Sequence, residues 1–473
     1  MLMNFSAESQ LVHAGTERTA GAPLAPPLLA TSTYMSMGEP DPARGYGREA
    51  NPGWAAVEEA LAAVEGPGTS AVTFASGQAA SMALMLALAP GRRAVVFPSD
   101  GYYNTRALAA RLRPHGAEPV AADLLDLGEV SRALAGGPAV LWAETPTNPL
   151  LRVCDLARLG EIAAGGGAPF VVDNTVATGL LQSPLELGAL AVVYSLTKSL
   201  SGHSDVFGGA VLTRDADLAR DLRAWRTAGG GIPGPFESWL VLRGLKTLPL
   251  RIERQSASAM AIASFLLGQP RVTAVHYPGV NAATLEVARR QMPRGFGPLL
   301  SFEIAGTAAD ADAVVAASRL VVPATSFGGV ESNWERRARW AAETAPPTLI
   351  RLGVGIEPPD DLIADIGAAL KAVLSRSPPG RLDAPSSLVA QSLRSIAPQS
   401  RRHDGPLARG RKPGPQPLSS GGTSLRRRRP GPGLRTCPRS ARSGRRWWFP
   451  PSRPARNGDA AASSGTRGTA FRF

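Results

Sequence analysis

Five short apolar runs, most of them followed directly by residues that carry chemistry, constrain this chain more than any other feature. They are Ala71–Phe74, Ala94–Pro98, Ala139–Ala143, Phe170–Val172 and Ala191–Tyr194. Runs of this length without polar alternation read as strands covered on both faces. Helical segments lie between several of them, near Thr105–Leu112 and Leu156–Ala164. Strand and helix in alternation imply an α/β fold, a mainly parallel sheet with helices on both faces. Ligands of such sheets gather at the carboxyl ends of the strands.

What stands at those ends is therefore the next question. After Phe74 comes A-S-G-Q-A-A, with Ser76, Gly77 and Gln78 opening a helix that runs to about Ala89. A helix N-terminus after a strand is an anion site, because its free N–H groups and dipole are positive there. A plain tight turn reads the same way. The second run leads into D-G-Y-Y-N-T with Tyr102, and the third into E-T-P-T-N-P with Asn148. The fourth ends in Asp173-Asn174-Thr175, the fifth in Ser195-Leu196-Thr197-Lys198. A lysine leaving a buried strand loses solvation, which lowers its pKa and makes its amine a candidate nucleophile toward an aldehyde. Taken alone, Lys198 could equally reach solvent from a strand end. Together, an aromatic, an amide, a carboxylate and an amine at one rim meet the needs of an aldehyde cofactor with a pyridine ring and a phosphate.

The flanking text is of different character. Residues 1–50 have little periodicity and read as an N-terminal arm. Asn51 and Pro52 then suit a helix start, and Trp54, Val57, Leu61 and Val64 recur at helical spacing. Glu237–Leu267 reads as helix with few breaks apart from Pro249. G-P-L-L-S-F-E-I and L-I-R-L-G-V read as strands, and a last helix runs to about Val373. The expected organisation is a cofactor domain over 51–247, a smaller α+β domain over 248–377, and a disordered Arg/Pro/Gly-rich tail over 378–473. The tail holds 20 of the 51 Lys+Arg but 3 of the 38 Asp+Glu. The net charge of +13 thus belongs to the tail, and the mildly acidic body offers nucleic acid no basic face. Two cysteines and five histidines show neither a disulfide framework nor metal-ligand spacing. No secretory signal or membrane span is legible, and a cytoplasmic location is the expectation.

G-Y-G-R, Y-Y-N-T, V-V-D-N-T, the S-L-T-K-S-L-S-G-H-S-D stretch around Lys198 and I-R-L-G-V-G-I-E, in that order along the chain, resemble the Cys/Met-metabolism enzymes that use pyridoxal 5′-phosphate, the cystathionine γ-lyases, γ-synthases and their relatives. The resemblance spans about Ala7–Leu374. It implies fold-type I, the aspartate-aminotransferase-like architecture, and pyridoxal 5′-phosphate as cofactor. It makes Lys198 the cofactor lysine, Asp173 the partner of the pyridinium and Tyr102 the stacking aromatic. Ser76, Gly77, Gln78, Ser195 and Thr197 would hold the phosphate. Tyr46 and Arg48 match a clamp on the phosphate of a neighbouring subunit, implying a homodimer of shared sites and a homotetramer. Asn148, Ser326 and Arg351 match residues that hold the substrate carboxylate. Thr325 stands where relatives handling cystathionine carry a glutamate that attracts the distal ammonium, and N-W-E-R-R-A-R-W replaces the usual H-P-x-x-M-T-H text. The expected activity is cystathionine γ-lyase. The alternatives are cystathionine γ-synthase, O-acylhomoserine sulfhydrylase, methionine γ-lyase or, from another class, a silent binding protein with a nucleic-acid-binding tail.

Overall fold

The computed structural model describes residues 5–39, 41 and 45–374; the tail expected over 378–473 lies outside them. Seven strands form the first sheet: β1 (Ser70–Phe74), β2 (Ala94–Pro98), β3 (Glu118–Ala122), β4 (Ala139–Glu144), β5 (Phe170–Asp173), β6 (Ala191–Ser195) and β7 (Gly209–Thr213). Their order is β1-β7-β6-β5-β4-β2-β3. All five expected runs are strands. β2 to β6 run parallel, whereas β7 is antiparallel to both its neighbours. β1 therefore points the same way as β6, and five carboxyl ends with chemistry behind them share one rim.

β3 is the strand that composition hides. E-P-V-A-A has one β-branched residue and a proline. It pairs only with β2, at the sheet edge, where a proline has one free side and no ladder partner to lose there. The central strands are sealed instead: every residue of β2, β4 and β7 is buried.

Helix α1 (Ala7–His13) precedes α2 (Pro52–Glu65), which starts as its sequence requires: the Asn51 side chain accepts from the Gly53 N–H at 2.8 Å and Pro52 takes the first turn. Trp54, Val57, Leu61 and Val64 face the core. α3 (Gly77–Leu88) is capped by Ser76, whose Oγ accepts from the Ala79 N–H at 3.1 Å. Its start crosses the first residue of β7. A Cβ on Gly209 would lie 2.2 Å from the Ser76 carbonyl oxygen, so glycine there lets the helix end reach β6.

The stretch expected as one helix from Glu237 is two, Pro235–Leu245 and Leu248–Leu267, with Pro249 in the first turn of the second. Proline costs nothing there, since that N–H has no intrahelical acceptor. The second sheet holds β8 (Val272–His276), β9 (Leu299–Ile304), β10 (Val322–Pro323), β11 (Asn333–Arg336) and β12 (Leu349–Gly353), in the order β10-β11-β12-β9-β8. One face packs Phe302, Trp334, Ile350 and Leu352 against Ile262, Leu266, Leu362 and Ile366 of the helices Leu248–Leu267 and Pro359–Leu374. The alternation along β11 and β12 turns Glu335 and Arg351 to the opposite face. No helix among the described residues is long and apolar enough to cross a membrane.

Candidate active site

At the shared rim lies a cavity of about 340 Å³. Ser76, Gly77, Gln78, Tyr102, Asn148, Asp173, Ser195, Thr197, Lys198, Thr325, Ser326 and Arg351 all line it, although they span 276 positions of sequence numbering between the first and the last. Tyr46 and Arg48 do not. The Arg48 guanidinium lies over the Tyr46 ring, 5.4 Å from its centroid, and donates to the Thr227 carbonyl at 3.0 Å. Tyr46 is 42 % exposed.

Lys198 projects from the turn after β6 with its Nζ 2.7 Å from Ser326 Oγ and 5.2 Å from the centre of the Phe327 ring. Burial, then the nearby Arg351 and Arg337 guanidiniums, brings its pKa from 10.5 down to about 8. The amine is thus far closer to its nucleophilic free-base form at neutral pH than an exposed lysine. Its partner Ser326 sits at a φ of 81°, a left-handed conformation that costs a non-glycine residue about 1 kcal/mol or more. Gly328 follows at a φ of 83°, where a Cβ would strike the Ser199 N at 2.5 Å. The loop after β10 is thereby pressed against the turn that carries Lys198.

On the far wall, β4 and β5 place Glu144 opposite Asp173 in register. Both carboxyls have raised pKa values. Burial is the larger cause for each, and the Asp173 charge adds to it at Glu144. Glu144 is a site residue that the sequence reading missed. Its two oxygens accept from the N–H groups of Tyr102 and Asn148, each at 2.8 Å, so it sets the backbone of two cavity residues at once. Tyr102 accepts at its hydroxyl from the Asn104 amide at 2.8 Å, and burial raises its pKa. Arg351 donates to Asn148 Oδ1 at 2.9 Å, to the Ser326 carbonyl at 3.1 Å and to Glu335 at 2.9 Å. Arg337, from the N-W-E-R-R-A-R-W text, also lines the cavity and was not expected there.

The residues fit pyridoxal 5′-phosphate. The first two N–H groups of α3, Gly77 and Gln78, are donors without an intrahelical acceptor. A Cβ on Gly77 would lie 3.0 Å from that of Ser195, so the two hydroxyl-bearing and N–H-bearing walls close into one cradle for an anion. Asp173, half-buried beside a second carboxyl, would take a cationic N–H. Lys198 would supply the amine for an aldehyde, and Tyr102 a flat aromatic ring in the same cavity.

Fold and cavity together define a fold-type I pyridoxal-phosphate enzyme. Residues 8–371 match the family model described as "Cys/Met metabolism PLP-dependent enzyme". A cystathionine γ-synthase of Mycobacterium tuberculosis is 41 % identical, over 73 % of this chain and 91 % of its own. A cystathionine γ-lyase of Bacillus subtilis is 38 % identical, over 76 % and 97 %. The crystal structure of an apo methionine γ-lyase from Micromonospora echinospora superposes with a TM-score of 0.73 at 40 % identity, over 77 % of this chain and 99 % of that one. The chain belongs to the Cys/Met-metabolism PLP-dependent enzymes, whose members are carbon–sulfur lyases and transferases. The names of these relatives divide among lyase and synthase, so family membership leaves the reaction to be argued from the cavity.

Proposed function

We propose that this enzyme is a cystathionine γ-lyase, converting cystathionine and water to cysteine, 2-oxobutanoate and ammonia. The observation that carries the reading is one amine, Lys198 with a pKa near 8, in the same cavity as a phenol and a guanidinium. When bound, pyridoxal 5′-phosphate supplies an electron sink next to the substrate's α-carbon. Asp173 would hold the ring nitrogen, the α3 N-terminus with Ser195 and Thr197 the phosphate. Arg351, braced by Asn148, presents a planar fork to the substrate carboxylate, with Ser326 beside it. Lys198 would take the proton from the α-carbon and, once it has handed that proton on to the electron sink and is neutral again, one from the β-carbon. Tyr102 returns a proton to the departing sulfur, which leaves as the cysteine thiol.

The same proton movements serve a γ-synthase, and the relative at 41 % identity carries that name. The decisive experiment offers the holoenzyme cystathionine alone, O-succinylhomoserine with cysteine, and methionine, and identifies products. Cysteine and 2-oxobutanoate from cystathionine as the fastest reaction are expected. Cystathionine formed faster than it is consumed would make the enzyme a synthase; methanethiol as the best product would make it a methionine lyase.

The position of Tyr46 and Arg48 outside their own chain's cavity supports a site completed by a second subunit. An Arg48→Ala chain and a Lys198→Ala chain, each nearly inactive, are expected to recover activity when mixed, because a hybrid dimer contains one complete site. Confirmed subunit exchange without recovery would exclude a shared site.

A further inference from the structure

Arg351 is buried, and a buried guanidinium needs a counter-charge when no ligand is present. The counter-charge comes from the segment that departs from the usual family text. β11 and β12 are antiparallel with Glu335 directly opposite Arg351, and both side chains leave the core face. Glu335, 1 % exposed, accepts at one oxygen from Arg351 at 2.9 Å, Arg337 at 2.6 Å and the Thr325 hydroxyl at 2.9 Å. Its other oxygen accepts from the Trp340 indole at 2.9 Å. Arg337 in turn gives two hydrogen bonds to Glu343, at 2.7 and 3.2 Å. The charges alternate, Arg351, Glu335, Arg337, Glu343, and each inner member is shared by two neighbours.

We propose that Glu335 is a positioning residue for substrate recognition, aiming Arg351 at the substrate carboxylate through a carboxylate shared with Arg337. The proposal rests on the reading of Arg351 as the carboxylate site and deepens it. With Asn148, Ser326 and Glu335 taking three of its five N–H donors, the guanidinium plane is fixed from three sides and two donors remain. Arg337 keeps Glu335 ionised. Burial pushes the Glu335 carboxyl up, but Arg351, the Trp340 N–H and Arg337 outweigh it and hold it below the usual carboxylate range. Because Glu335 is held by Arg337 as well, an arriving substrate carboxylate can bond Arg351 without expelling it.

The test compares equilibrium binding of 2-aminobutanoate and of propylamine, the same molecule without its carboxylate, followed by the cofactor's absorption band. Glu335→Gln is expected to weaken 2-aminobutanoate about tenfold, the worth of one charge-assisted hydrogen bond partly replaced, and to leave propylamine within twofold. With substrate, the loss should fall on KM more than on kcat. Glu335→Asp, which keeps the charge but is too short to span both arginines, should show the same discrimination and serves if the amide variant does not fold. Equal losses for the two probes, or none, would overturn the proposal. Arg351→Lys separates it from the reading beneath it. If that variant discriminates between the probes and Glu335→Gln does not, only the positioning role fails. If Arg351→Lys does not discriminate either, both fall.

Discussion

Replacing Lys198 with alanine is expected to lower turnover by at least about three orders of magnitude while the apoprotein stays folded. The side chain is a catalytic cost to the fold, not a support for it. Its hydrogen bond to Ser326 is set against the desolvation that brings its pKa to about 8. The sign of the stability effect follows from linkage. Between about pH 8 and 10.5 the unfolded chain binds the lysine proton and the folded chain has released it, so wild-type stability rises with pH across that window. Below pH 8 both states hold the proton and the full cost remains. The alanine variant lacks this group. Its stability relative to wild type should therefore be greatest below pH 8 and fall steadily up to pH 10.5. Chemical denaturation of both apoproteins at pH 7, 8, 9 and 10 measures this. A second check is independent of stability. Borohydride reduction of the wild-type holoenzyme should leave the pyridoxyl label on Lys198 alone. Label on Lys246 or Lys371, or a variant within tenfold of wild-type turnover, would remove Lys198 from the mechanism.

The parts of this site that were legible without the family resemblance share one property: each follows a buried strand of the parallel sheet. Asp173 and Lys198 stand within four residues of continuously apolar runs, and the sheet rule brings such ends together without any knowledge of contacts. Glu144 also ends a strand, yet it was read as part of a loop motif. Its role is to accept from two backbone N–H groups, and that leaves no trace in spacing. Glu335 and Arg337 were hidden for a different reason. Their function depends on the pairing of β11 with β12 and on Trp340 folding back over Glu335. Only the alternation N-W-E-R, with Trp334 in the core and Glu335 turned away from it, hinted at a strand with a charged face toward something buried. β3 was missed because an edge strand bears little apolar pattern, and Tyr46 and Arg48 could be given a role only through family resemblance, since a single chain gives them no cavity.

The second large effect concerns the mouth of the cavity. Thr325→Glu is expected to shift the ratio of kcat/KM values, cystathionine over O-succinylhomoserine, by about tenfold toward cystathionine. The reasoning begins with charge at the distal end. Cystathionine carries an ammonium as well as a carboxylate there, whereas the succinyl ester ends in a carboxylate alone, so a new anion attracts the first partly and repels the second. Thr325 is exposed and lines the cavity, so a longer side chain has room to extend toward the opening. The structure adds a cost that sequence could not give. The Thr325 hydroxyl donates to Glu335 at 2.9 Å, and the substitution removes that donor while setting a like charge nearby. Absolute kcat/KM should therefore fall with both substrates, because Arg351 loses part of its bracing when Glu335 is disturbed, and more steeply for the succinyl ester, which the new charge also repels. Thr325→Val isolates this second term. It removes the donor without adding charge, and should lower both kcat/KM values by a similar, smaller factor with the ratio unchanged. A ratio that moves equally in the valine and glutamate variants would mean that the threonine acts only through Glu335. A ratio unmoved in both would mean that position 325 does not face the distal end of the substrate.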